Sequence, residues 1–131
     1  MDYQNWLSKA IENLAAAQLC FDHGHFNACA NRLYYAMFQA GAAALFKHGI
    51  LPSGDKIGHA WLQSNFSGML IHRRKIFSAA FRPYLSDAQT VRDIADYGLN
   101  FVSQNVASRE LKKARDFVNK IISELSHATQ S

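Results

Sequence analysis

A chain of 131 residues fits one domain, residues 1–131, which can bury roughly two-thirds of the surface its unfolded form exposes. Hydrophobic residues at 49% and charged residues at 18% exclude a disordered chain and leave disorder to the tail alone, while no apolar run reaches the roughly 18 residues of a membrane span. The net charge of +4 permits an anionic partner without requiring one.

The opening residues Met1-Asp2-Tyr3-Gln4-Asn5 have neither the basic nor the apolar region of a targeting segment, so a soluble cytoplasmic protein is the expectation. Tyr3, Leu7, Ala10, Leu14, Ala17 and Phe21 then recur at spacings of four and three, with Asn5, Lys9, Glu12, Asn13 and Gln18 between them. That pattern predicts an amphipathic first helix. Asp22-His23-Gly24-His25 supplies a glycine stop, after which Phe26, Ala30, Leu33, Met37, Ala40 and Ala44 begin a second stripe. Tyr34, Phe38, Gly41 and Leu45 make this second helix apolar on an adjacent face too, as expected of the central element of a bundle.

His48-Gly49 ends that helix, and Leu51-Pro52-Ser53-Gly54-Asp55 has the chemistry of a loop. A shorter third helix is predicted from Ile57 to about Phe66. Residues 67–82 are ambiguous, because the basic run His72-Arg73-Arg74-Lys75 interrupts any clean period. Ser86 and Gln89 have capping-box spacing ahead of Val91, Ile94 and Ala95, and Gly98 stands where a C-terminal glycine belongs. The last helix carries Leu111, Ala114, Val118, Ile121 and Leu125. With no alternating strand pattern, the fold class is all-α, a bundle of four to five antiparallel helices.

Two constellations stand out. On the second helix Arg32, Tyr35 and Gln39 form one polar strip on an otherwise apolar element, and a desolvated guanidinium needs a carboxylate, a phosphate or a wet cleft. On the fourth, Arg92 and Asp96 are spaced i, i+4, as are Asp93 and Tyr97. An interhelical network joining Arg32 to Asp93 or Asp96 is the structural expectation. The same arginines could instead wall an anion or RNA-phosphate cleft, because the planar fork suits carboxylate and phosphate alike. Arg73 and Arg74 belong to the one basic cluster, which reads as a solvated loop or helix end and doubles as a phosphate-binding candidate. His59, beside a glycine at the start of the third helix, is a candidate acid or base. Cys20, His23, His25 and Cys29 match no usual zinc spacing, no cofactor loop is present, and neither metal nor disulfide is expected.

Asn-Arg-Leu-Tyr-Tyr-Ala-Met-Phe at 31–38, His59 with Phe66 seven residues on, and Arg-Asp-Ile-Ala-Asp-Tyr at 92–97 together resemble the HEPN family of prokaryotic helical domains, related to the helical substrate-binding domains of nucleotidyltransferases. The resemblance implies a dimerising bundle, often encoded beside a minimal nucleotidyltransferase as a toxin–antitoxin or stress-response pair. Many members are metal-independent ribonucleases that use an Arg followed after four to six residues by His, the imidazole moving a 2′-hydroxyl proton while Arg stabilises phosphate charge. Here the register runs from Arg92 to Tyr97 with no histidine between Arg92 and Gly98, and a phenol of ordinary pKa is a poor base at neutral pH. The expectation is therefore a homodimeric interaction or nucleotide/RNA-binding module. The alternative is a ribonuclease toxin in which Arg92, Asp96, Tyr97 and His59 build an atypical cleft; under either reading Arg32, Tyr35, Gln39, Asp96, Arg73 and Arg74 are the candidate binding residues. Trp6, Trp61, Phe66, Phe77 and Phe81 are the expected interface aromatics.

Overall fold

Asp2 starts the first helix: its carboxylate accepts from the backbone N–H of Gln4 at 2.9 Å, satisfying one of the donors that a helix start leaves bare. In the computed structural model, which describes the backbone of residues 2–130 and the side chains of residues 2–126, this helix, α1, spans Tyr3–Asp22. The expectation about the C-terminal tail lies outside the described residues. α2 spans Phe26–Lys47, and both helices end at a glycine in the left-handed region, Gly24 and Gly49, each with φ of 76°.

Fourteen of the 22 residues of α2 are buried, so its two apolar faces have become the axis of the bundle. It packs most extensively on α1, then on the last helix of the chain and on the helix before it. Gly41 is the point of closest approach: a Cβ there would stand 3.4 Å from Leu62 and within 3.8 Å of Phe66 and Leu85, all from elements on one side. The buried residues form one cluster from Ala10 to Leu125, and each fully buried Leu, Phe or Met contributes about 1.5–3 kcal/mol from apolar burial.

α3 covers His59–Asn65, two residues later at its start than the pattern suggests, because Gly58 is extended and opens it. The ambiguous stretch resolves into a π-helix, Phe66–Arg73, followed by a sharp reversal and a 3-10 turn, Ala79–Phe81. Lys75 makes the reversal with φ of 53°, and the carbonyl of Leu70 then accepts from the N–H groups of both Ile76 and Phe77 at 2.8 and 3.2 Å. The fold thereby turns Phe77 inward, stacked on Phe66 at 5.2 Å, and leaves the basic run on the outside.

α4 spans Tyr84–Tyr97 and α5 spans Gln104–Gln130. The capping box expected at Ser86 and Gln89 does not form. The helix begins three residues earlier, with Pro83 at the N-cap position, Ser86 donates to the Pro83 carbonyl, and Gln89 accepts from Gln63 on α3 at 2.6 Å. Gly98 does follow the helix, but with φ of −78° and ψ of 163° it is extended. Its glycine is required for room: a Cβ would lie 2.6 Å from the carbonyl oxygen of Ile94. Among the described residues there is no strand, and no helix is long and apolar enough to cross a membrane.

Candidate functional site

The polar residues of α2 and α4 meet where the first third of α2 crosses the last turns of α4. Arg92 is the centre. Its side chain is only 12% exposed, and its guanidinium carbon lies 5.6, 5.4 and 5.9 Å from the ring centres of Tyr34, Tyr35 and Tyr97. Nε donates to Asp96 at 3.1 Å, one turn along the same helix, and Nη1 stands 3.7 Å from Asp93. Burial works against the charge. Tyr35 and Asp96 outweigh it, and the pKa of Arg92 is held above its ordinary value.

The expected ion pair from Arg32 to α4 does not form. Arg32 is half-buried and donates to amide oxygens instead: Nε and Nη2 to Asn31 Oδ1 at 3.0 and 2.5 Å, and Nη1 to Asn13 Oδ1 at 3.2 Å. The reason is proximity on α4, where Arg92 already occupies Asp96 at i, i+4. Asn31 joins the two systems, accepting from Arg32 through its oxygen and donating to Asp96 through its nitrogen at 3.1 Å. The strip Arg32, Tyr35 and Gln39 therefore ends on α1, where Asn13 takes Arg32 and donates to Gln39 at 2.8 Å. Tyr35 lies beneath both guanidinium groups, with Arg32 at 5.7 Å and Arg92 at 5.4 Å.

His59 reaches the same cluster through Tyr34. The Tyr34 hydroxyl contacts His59 Nδ1, and the imidazole packs on the rings of Tyr34 and Phe38 at 5.4 and 5.3 Å. Burial pushes the Tyr34 phenol up to about 12, against the opposing pull of the Gln63 amide and the Arg92 charge, so it stays protonated at neutral pH. A protonated phenol both donates and accepts, so Tyr34 pairs with either tautomer of His59, and in each the contact occupies Nδ1 and leaves Nε2 as the other ring nitrogen.

Sequence reasoning missed Asn13, Asn31, Tyr34, Gln63 and Gln89. Asn13 reads as an outward polar residue of α1, and only the crossing of α1 with α2 turns it inward. Asn31 had a usable signal, an amide adjoining Arg32 on an apolar helix. Arg73 and Arg74 lie elsewhere, at the end of the π-helix, and Arg74 donates to the His48 carbonyl at the far end of α2.

Beyond Tyr97 the chain is pinned with Leu99 and Phe101 outward. The N–H of Val102 donates to Asn27 Oδ1 at the start of α2 at 2.8 Å, Val102 is buried, and Phe101 before it is 83% exposed. Leu99, Ile94 and Tyr97 are exposed as well, Tyr97 to 76%. The aromatics expected at an interface are elsewhere: Phe66 and Phe77 are buried, and Trp6, Trp61 and Phe81 pack partly buried against the core. A small bundle has room for all five once α3 and the reversal after it fold back on α2 and α5.

The two tyrosines of α2 and the Arg-Asp-Ile-Ala-Asp-Tyr segment of α4 thus form one cluster in a five-helix bundle. A model of the HEPN domain family matches residues 3–125. The chain belongs to the HEPN family. No curated protein matches it. HEPN domains are helical bundles with nucleotide- or RNA-related functions that commonly dimerise, and the cluster lies within the matched span.

Proposed function

We propose that this HEPN domain is a homodimeric RNA- or nucleotide-binding module without nuclease activity. The observation that carries the reading is the exposed strip Ile94, Tyr97, Leu99 and Phe101, which continues directly from the Arg92 cluster. Apolar side chains held outward beside a half-buried polar network suit a second copy of the same strip, because a twofold axis pairs each patch with itself. Tyr97 adds an aromatic face backed by a cation, the arrangement on which a nucleobase stacks. Chemistry is disfavoured because Arg92 is already paired with two aspartates, no histidine stands between it and Gly98, and Nδ1 of His59 is tied to Tyr34.

Sedimentation at micromolar concentration should give twice the chain mass of 14.7 kDa, and the double variant Leu99→Glu, Phe101→Glu should sediment as a monomer with unchanged helicity. A wild-type monomer at all accessible concentrations refutes the dimer. RNA should remain intact after incubation without metal. The finer reading, a partnership with a minimal nucleotidyltransferase in a toxin–antitoxin or stress-response pair, predicts that such an enzyme is encoded in the adjacent reading frame and co-purifies when both are expressed.

The ribonuclease reading draws on one specific observation, that an imidazole stands a single tyrosine away from Arg92. It predicts metal-independent cleavage that Arg92→Ala abolishes with the fold intact. Tyr34→Phe would free Nδ1 of His59 and raise the rate, and Tyr97→His would do so by restoring a proton carrier at the motif position.

A further inference from the structure

The reversal at Lys75 builds a second feature, remote from Arg92. Between the end of the π-helix, the 3-10 turn and α5 lies a cleft of about 480 Å³ whose polar rim is His72, Lys75, Ser78, Arg82 and Lys120, above an apolar floor that includes Phe77. No acidic residue lines it. Among the described residues, no carboxylate stands within ion-pair distance of Lys75, Arg82, Lys120 or the neighbouring Arg73. Elsewhere most basic groups find partners, Lys56 and Lys112 being single exposed exceptions: Arg92 and Lys113 have carboxylates, Arg32 and Arg115 have amides, and Lys9 and Lys47 have aromatic faces.

Arg74 is the exception within the run, and it explains how the cleft is held. Its bond to the His48 carbonyl ties the reversal to the C-terminus of α2, while Leu70 ties it to the core from inside. The flanking cations are thus presented by a braced turn. Like charges gathered on one rim repel one another, weakly in water, and a bound anion relieves that repulsion.

We propose that this cleft is a phosphate-backbone subsite for single-stranded RNA, separate from the Arg92 cluster. The inference rests on the RNA-binding reading above and adds to it a second point of contact. The cations stand on three different segments around an open rim, exposed to solvent, which suits successive phosphates of a strand better than one converging phosphate. Arg92 lies over Tyr34 and Arg74 touches residue 48, so the two sites are separated by about 20 Å along α2, at about 1.5 Å per residue. A strand several nucleotides long spans that distance.

The test is fluorescence anisotropy with a labelled single-stranded RNA between about 50 and 200 mM KCl, using wild type, Arg92→Ala, and the triple variant Lys75→Gln, Arg82→Gln, Lys120→Gln. All three positions of the triple variant are exposed, and circular dichroism checks that the fold is retained. The triple variant should bind at least tenfold more weakly at the lower salt, and the slope of log K against log salt should shrink by about 2, at about 0.7 per lost phosphate contact. An unchanged affinity and slope overturns the subsite; if Arg92→Ala alone then loses binding, the reading at Arg92 stands without it. Loss in the triple variant with none in Arg92→Ala upholds the subsite and removes Arg92 from RNA binding. Full displacement of RNA by millimolar inorganic phosphate would assign the cleft to a single phosphate, and binding to phosphatidylserine vesicles without RNA binding would assign it to lipid; either result overturns the proposal.

Discussion

Replacing Arg92 with Met tests whether the cluster between α2 and α4 supports the fold. Met keeps much of the side-chain volume and removes the guanidinium. The loss comprises two Asp contacts, at 3.1 Å to Asp96 and 3.7 Å to Asp93, and three aromatic contacts within 6 Å of a side chain that is 12% exposed. A cation over an aromatic face contributes about 0.5–1 kcal/mol when exposed and about 2 when desolvated, and the three rings share one cation. Asp96 keeps its bond from Asn31, which moderates the cost of orphaning it. The expected destabilisation is about 2–3 kcal/mol, or a Tm lower by about 10 °C for a chain of this size. Urea denaturation of wild type, Arg92→Met, Asp96→Asn and the double variant should give a coupling of about 1 kcal/mol between the two positions. If Arg92→Met lies within about 0.5 kcal/mol of wild type, the network has no structural role and the guanidinium is free to serve a ligand.

Gly98→Ala should destabilise by more than 1 kcal/mol, since the added Cβ meets the Ile94 carbonyl at 2.6 Å and the end of α4 must shift; an unchanged Tm refutes it. Glu110 is 2% exposed and pairs with Lys113, whose pKa burial lowers but whose bonds to Glu110 and Asp87 raise further. Asp87 remains 3.1 Å from Lys113, and Arg109, which loses a 3.9 Å contact, is 63% exposed to water, so Glu110→Met should change stability by less than about 1 kcal/mol in a thermal melt, whereas a larger loss would show that the buried carboxylate is needed. Iodoacetamide should modify half-buried Cys20 in the native protein and spare Cys29, which is fully buried with its thiol pushed up to about 12 by burial and by nearby Cys20 and Asp22; equal labelling by mass spectrometry contradicts this. Cys29 and Tyr34 both have folded-state pKa values of about 12, above their ordinary 9 and 10, so on raising the pH the unfolded chain loses these protons first. Stability from them is intact below about pH 9 and falls between about pH 9 and 12, a slope that Tyr34→Phe should reduce in urea midpoints measured across that window.

The all-helical architecture and the order of its helices were legible because 3.6-residue periodicity and helix-ending glycines are local properties of the chain. α2 declared its central place by being apolar on two faces, and the Asn31–Phe38 and Arg92–Tyr97 segments declared the family. Pairing was not legible. Arg32 and Arg92 offer the same chemistry, and only the crossing of α1, α2 and α4 decided that Asn13 and Asn31 take the first while Asp96 takes the second. Burial was equally nonlocal: nothing in the spacing of Phe66 and Phe77 distinguishes a core ring from an interface ring, and nothing around Leu99 and Phe101 announces that Asn27 will pin the chain with them outward. Backbone geometry at residues 66–82 escaped the sequence because a π-helix and a left-handed lysine have no periodic signature and arise from the core drawing Ile76 and Phe77 back to the Leu70 carbonyl. The sequence determined the elements through short-range chemistry; the tertiary structure decided partners and exposure, which depend on residues far apart in the chain.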